Sequence, residues 1–370
     1  MIEPSEYNPG KLGFGLMRLP RKGLSIDVEQ TSRMVDLFME AGLTYFDTAF
    51  IYPGSEAAIK KALIDRYPRE SFTLATKLLV TGVPTASLAK KEFSTSLSRT
   101  GAGYFDYYLL HFINRDNHKK YEKFGIWDFV REQKENGKIR HYGFSFHDGP
   151  ELLDEVLTNH PDAEFVQLQI NYQDWEDPKV QSRAIYEVAR KHNKPIVIME
   201  PVKGGGLADP PQKVKNILKE ANPDASYASW AIRFAASLDG ILAVLSGMSN
   251  IAQMEDNLSY MKDFKPLSRD EIRTILKARR ALGSITAIPC TSCHYCTEGC
   301  PQQIPIPEIF SSRNLQLVHG RVDDGNRAYE ALCEKGPSAA DCIACGQCEL
   351  VCPQKIDIIT KLQEISELHA

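Results

Sequence analysis

The stretch Gly13-Phe14-Gly15-Leu16-Met17-Arg18-Leu19-Pro20 decides the fold. An apolar run ending in glycines suits a first strand and the turn that leaves it, and two α/β architectures open this way. An open doubly wound sheet would want a third glycine where Arg18 stands, so that helix and strand can pack closely around a dinucleotide. That fingerprint is incomplete, and a closed barrel is favoured.

The rest of the chain carries the barrel's rhythm. Short apolar, β-branched or aromatic runs fall at 14–19, 43–46, 72–75, 107–110, 139–144, 165–170, 195–199 and 241–245. Stretches at helical spacing lie between them, at 28–40, 55–67, 87–98, 127–136, 150–158, 178–192, 211–220, 224–237 and 251–261. Eight β-α units with strand starts about 30 residues apart predict a (β/α)8 TIM barrel. Residues 281–289 read as a linker. The expected division is a barrel over 1–284 and a second domain over 285–370.

Composition narrows the class. The 370 residues carry a net charge of −4, which argues against a nucleic-acid-binding stripe or a polybasic membrane patch. No run of about 18 apolar residues occurs, so no spanning helix is expected. Met1 to Tyr7 lack the basic and apolar regions of a secretion signal, and a cytoplasmic protein is expected.

The cysteines are confined to one end. All nine lie at or after Cys290, which excludes a secreted disulfide scaffold. Cys290-x2-Cys293-x2-Cys296-x3-Cys300-Pro301 recurs as Cys342-x2-Cys345-x2-Cys348-x3-Cys352-Pro353. Three thiolates at this spacing wrap one [4Fe-4S] cluster, and the fourth, before proline, ligates the other. The expected sets are Cys290, Cys293, Cys296 with Cys352, and Cys342, Cys345, Cys348 with Cys300. Zinc is the alternative, but it gives no reason for the Cys-Pro element. Cys333 lies outside both motifs and reads as a small buried hydrophobe. Helical patterns around 307–317 and 326–333 make this end resemble the α-helical ferredoxin type found in iron–sulfur subunits of multi-component oxidoreductases.

Chemistry-bearing residues stand where the strands end. The second run leads into Asp47 and then Tyr52, the third into Lys77, the fourth into His111. Active sites of such barrels gather at the carboxyl ends of the strands. Each residue alone has an ordinary structural reading, as cap, packing ring, rim charge or loop histidine; their joint placement points to a site.

With these segments, and with Gly137-Lys138-Ile139-Arg140 before Gly143-Phe144-Ser145, residues 11–262 resemble the aldo/keto reductase family. The resemblance implies a catalytic set of Asp47, Tyr52, Lys77 and His111 and a nicotinamide cofactor, NADH or NADPH. Hydride would pass to a carbonyl carbon while Tyr52 protonates the oxygen. A free phenol titrates near pH 10, so Lys77, held by Asp47, is needed to lower it, and His111 would orient the carbonyl. The resemblance further implies Ser145, Gln169 and Asn171 near the carboxamide, and Gln253 and Asn257 at the adenosine. Gly247 and Ser249, in a segment that opens a helix, suit a phosphate. Gly204, Gly205 and Gly206 suit the pyrophosphate or, equally, a turn needed only for backbone geometry.

Some positions depart from the family's pattern. No basic residue lies between Gly247 and Gln253 to meet a ribose 2′-phosphate, leaving NADH and NADPH both open. Met199 stands where an aromatic often stacks on nicotinamide, and Phe146 replaces an asparagine. The leading expectation is an NAD(P)-dependent oxidoreductase acting on a small-molecule carbonyl or alcohol, with two [4Fe-4S] clusters for electron transfer. Hydride carries two electrons together while a cluster passes one, and no flavin motif is visible to divide them, so a redox partner protein is a candidate for the clusters. The alternative is a non-catalytic cofactor-sensing or electron-transfer subunit of a larger redox complex.

Overall fold

The structure, a computed structural model, describes residues 10–369. Eight strands form a closed barrel: β1 (Leu12–Gly15), β2 (Tyr45–Asp47), β3 (Thr73–Leu78), β4 (Phe105–Ile113), β5 (Ile139–Phe146), β6 (Phe165–Gln169), β7 (Ile196–Met199) and β8 (Ile241–Ser246). Each runs parallel to its sequence neighbours, and β8 closes onto β1 with Leu12 opposite Val244. The expected (β/α)8 architecture is the one observed.

The described residues divide into two compact units. The first comprises 10–176, 181–201 and 229–267 and holds all eight strands. The second comprises 177–180, 202–228 and 268–369.

In the first unit the barrel interior is filled by Tyr45, Ala75, Tyr107, Leu109, Phe165, Val197, Ala243 and Leu245. Side chains two apart on a strand share a face. Asp47, Lys77 and His111 each stand two residues beyond an interior residue (Tyr45, Ala75 and Leu109), so the same alternation that builds the core aims them inward at the carboxyl end. Strand β1 is shorter than the sequence suggests: Leu16–Arg18 form a 3-10 turn. The Ser55 hydroxyl donates to the Leu16 carbonyl at 3.0 Å, drawing that group away from the ladder after Gly15 has paired with Asp47.

The second unit is helical around the cysteines. Its core is an apolar cluster that includes Ile304, Ile306, Ile309, Phe310, Ile356, Leu362 and Ile365, with Cys296 and Cys348 buried in it. The helices Ile306–His319 and Val322–Cys333 approach so closely that a Cβ on Gly325 would lie 2.7 Å from the Ser312 carbonyl oxygen. The Asn314 side chain donates to the Ile288 carbonyl and accepts from its N–H, fixing the chain just ahead of the first cysteine. Among the described residues no helix is long and apolar enough to cross a membrane.

Candidate active site and iron–sulfur centre

At the carboxyl end of the barrel, Lys77 Nζ donates to Asp47 Oδ1 at 2.5 Å and to the Thr48 carbonyl at 2.6 Å. Burial pushes the Asp47 carboxyl up and the Lys77 ammonium down, each toward its neutral form, while their mutual attraction opposes both shifts. Lys77 Nζ lies 5.2 Å from the centre of the Tyr52 ring. That ring meets His111 edge-on, with 6.0 Å between centroids. The structure thus brings together all four residues of the expected set.

An irregularity follows His111 in the strand. The β4–β5 register shifts between Leu110 and Ile113, and Phe112 takes a left-handed φ of 63°. Such a bulge redirects the neighbouring side chain. Two bonds brace it: the Phe112 N–H donates to Ser145 Oγ at 2.7 Å, and the Tyr121 hydroxyl donates to the His111 carbonyl at 2.5 Å. Burial, then the Lys77 charge and His147, drive the His111 imidazole well below its usual range, so the ring is neutral and carries a single N–H.

Ser145, Gln169 and Asn171 lie buried at neighbouring strand ends. Asp174 Oδ2 accepts from both amides, at 2.9 Å from Gln169 and 2.7 Å from Asn171, and Asn171 also donates to the Glu200 carbonyl. Asp174 therefore sets the orientation of both amides. Its signal in the sequence is slight, the short Asn171-x2-Asp174 spacing of a side-chain turn, which the structure closes through Asp174 N–H to Asn171 Oδ1.

Around Gly247 the expected contacts divide. Asn250 caps the helix Ile251–Met261 by accepting from the Gln253 N–H, and the Ser249 N–H donates to Gln253 Oε1 at 2.7 Å. Asn257 has both ends of its amide occupied, donating to Ser246 Oγ at 2.6 Å and accepting from the Tyr260 hydroxyl. It braces the loop in this arrangement. Arg18, an ion-pair partner of Glu200 at 3.7 Å, passes beside the loop. This cation lies far in sequence from the segment expected to meet a phosphate, so no local pattern announces it.

Two observations test whether the mouth suits a nicotinamide and a carbonyl. His111 Nδ1 and Asp47 Oδ2 are buried without a hydrogen-bond partner among the described residues, where buried polar atoms are ordinarily satisfied. A Cβ built on Gly247 would meet nothing nearer than 3.9 Å, leaving its backbone approachable. These residues fit such a group.

In the second unit, a cavity of about 20 Å³ is lined by Cys290, Cys293, Cys296 and Cys352, with Phe310, Ile356 and other apolar side chains around them. Cys352 comes from the second motif, the partner the repeat predicts. The two motifs also share a backbone form. Left-handed residues recur at matching places: Ser292 and Ala344, His294 and Gly346, Gln303 and Lys355. Five of these six are not glycine, and strain repeated in register marks loops shaped for a bound group. Burial raises the Cys290 and Cys352 thiols, Cys296 to about 12 and Cys348 to about 11. The donor set fits an iron–sulfur cluster. Of the other expected ligands, Cys348 is buried, Cys345 exposed, and Cys300 and Cys342 lie against the same core. A Cβ on Gly299 would lie 3.8 Å from Gln347 Oε1, so Cys300 leaves the first motif beside the second.

Gly204 has a local reason to be glycine. Its φ is 64°, and a Cβ there would lie 2.5 Å from the Thr291 Cα and carbonyl oxygen. Thr291 occupies the space over this glycine, which favours the backbone turn over a pyrophosphate cradle.

Residues 11–280 match the aldo/keto reductase family model, and residues 289–356 match that of a 4Fe-4S dicluster domain. The chain belongs to the aldo/keto reductase family and carries a 4Fe-4S dicluster domain after its barrel. An aldo-keto reductase of Strobilurus tenacellus is 30% identical over 212 residues, which cover 53% of this chain and 59% of that protein. Another from Mycobacterium avium is 28% identical over 251 residues, 67% of this chain and 79% of that protein. A further similar stretch, in a Mycolicibacterium smegmatis aldo-keto reductase, spans 46% of its length, so this chain matches only about half of some curated relatives. Among solved structures, the holo form of an aldo-keto reductase from Bacillus halodurans superposes with a TM-score of 0.57 at 25% identity, over 72% of this chain and 91% of that one. A Klebsiella pneumoniae aldo/keto reductase in complex with NADP and acetate gives 0.59 at 20% identity, over 72% and 90%.

Proposed function

We propose that this chain is an oxidoreductase that interconverts a small-molecule carbonyl and its alcohol with a nicotinamide cofactor, and that it holds two [4Fe-4S] clusters. The observation that carries the reading is the convergence of Asp47, Lys77, Tyr52 and His111 at three adjacent strand ends. The reductase portion is assigned to residues 1–284 and the iron–sulfur portion to 285–370.

A bound nicotinamide would supply or accept hydride. Tyr52 gives its hydroxyl proton to the carbonyl oxygen as charge develops there. Lys77 favours the phenolate left behind, because its charge sits in a site from which water is excluded. Asp47 holds that ammonium in place. Neutral His111 turns its one N–H to the carbonyl oxygen and orients it. Ser145, Gln169 and Asn171 would hold the carboxamide, with Gly247, Ser249 and Gln253 toward the phosphates and adenosine. Clusters held by the two cysteine sets would supply one-electron transfer to a redox partner.

The test uses anaerobically purified protein. Iron and acid-labile sulfide are measured first, then oxidation of NADH and NADPH against a panel of aldehydes and ketones. Tyr52→Phe should abolish turnover while nucleotide binding, followed by fluorescence, is kept. Nucleotide binding by the wild type without turnover of any carbonyl would favour the cofactor-sensing subunit instead.

A further inference from the structure

The loop after β7 is part of the second unit and is held there by Lys203 and Gly204. Lys203 is only 7% exposed, and its Nζ donates to Gln354 Oε1 at 3.1 Å. Gln354 is itself 3% exposed and lines the cavity of Cys290, Cys293, Cys296 and Cys352, as does Thr291, against which Gly204 is wedged. The loop adopts a costly backbone to reach this place. Lys203 takes a left-handed φ of 47°, unfavourable for a residue with a side chain, while Gly204 and Gly205, at 64° and 105°, adopt theirs without that cost. Strain of this kind persists only where the surroundings over-determine it. Here it brings a buried lysine against Gln354, one residue behind the wall of the first cysteine cavity.

We propose that Lys203 sets the reduction potential of the cluster held by Cys290, Cys293, Cys296 and Cys352. Reduction adds one electron, and with it one negative charge, to a group already anionic through its four thiolates. A cation held in the low-dielectric surroundings behind that wall favours the more negative state, so it raises the potential. Lys203 acts through the field and through Gln354, as a positioning residue; it is not a ligand. The proposal rests on the iron–sulfur reading above.

The experiment is a dithionite titration of anaerobically purified full-length protein, followed by electron paramagnetic resonance. Lys203→Met should lower the reduced-to-oxidised ratio of one cluster about tenfold at fixed ambient potential, a midpoint about 59 mV more negative for a one-electron couple. The other cluster should not move. Lys203→Arg should restore the wild-type midpoint. A purely structural anchor would change thermal stability or iron retention and leave the midpoint where it was, which would overturn the proposal. Should Lys203→Met not fold, Gln354→Glu puts the same question: a carboxylate beside the lysine must shift the midpoint in the same direction, and an unchanged value overturns the proposal. Absence of any cluster signal in the wild type would instead defeat the iron–sulfur reading itself.

Discussion

Lys77 and Asp47 form an ion pair at 2.5 Å with side chains 0% and 4% exposed, joined across adjacent strands at the mouth of the barrel. Neither charge is favourable to bury alone: desolvation pushes both groups toward neutrality. The pair persists because each supplies what the other lost in leaving water, and the Thr48 carbonyl takes a further hydrogen of the ammonium.

Breaking this pair should therefore cost more than its attraction is worth. Lys77→Met leaves a buried carboxyl with no counter-charge, and a loss of about 3–5 kcal/mol is expected. The double variant Lys77→Met, Asp47→Asn should recover part of that loss, because no charge is then stranded. Urea unfolding of the wild type, both single variants and the double variant reads the coupling directly. Strict additivity would show that the two do not act as a pair. All three variants should lack carbonyl turnover.

The cysteine sets cross between motifs, and that crossing can be read. Cys293→Ser and Cys352→Ser should remove the same electron paramagnetic resonance component, since both side chains line one cavity. Cys300→Ser and Cys345→Ser should remove the other. In each case iron content should fall to about half, as one cluster of two is lost. If Cys352→Ser groups with Cys345→Ser, the crossed assignment is wrong.

Gly204 separates packing from backbone strain. In Gly204→Ala the new methyl meets the Thr291 backbone at 2.5 Å in addition to an unfavourable φ of 64°, and about 2–4 kcal/mol should be lost from the second unit. Gly205→Ala bears only its φ of 105°, with nothing within 4 Å of the added carbon, and should retain clusters better. Iron retention on mild heating distinguishes the two; a Gly204→Ala variant as stable as the wild type would mean that the Thr291 contact contributes nothing.

The barrel was legible because its signal is repetitive. Eight short apolar runs and their helical intervals state the fold many times over, so a misread boundary, as at Leu16–Arg18, does no harm. Asp47, Lys77 and His111 were legible for a related reason: strand alternation carries them inward wherever the exact ladder ends. The cysteine motifs needed no fold at all. What remained hidden was contact between side chains. Lys203 reaches Gln354 from far along the chain and Tyr121 fixes the bulge behind His111 with no local pattern to announce either, and only the slight Asn171-x2-Asp174 spacing hints that Asp174 orients two amides. The helix Arg269–Leu282 is absent from the sequence expectations, although Ser268 and Glu271 form a capping box whose pattern the sequence carries.

Glu92 yields a pH dependence. It lies on the helix Ala86–Thr100, 7% exposed, and Oε2 accepts the Leu79 N–H at 2.9 Å just beyond the strand that carries Lys77. Burial raises its carboxyl from 4.5 to about 7, against the opposing effect of that hydrogen bond. A carboxyl raised in the folded state favours folding fully below its unfolded value. That contribution is lost as pH rises through the folded one, because the native state must then ionise a buried group. Wild-type stability should thus decline between about pH 4.5 and pH 7 for this reason. Glu92→Gln keeps an oxygen for Leu79 and has no proton to lose, so its curve should lack the decline. Urea midpoints followed by tryptophan fluorescence should nearly coincide at about pH 5. At about pH 8.5 they should separate in favour of the variant, by at most roughly 3 kcal/mol. Parallel curves across that range would mean that Glu92 is already ionised in the folded protein at the acidic end, with its charge met by a partner that burial alone does not reveal.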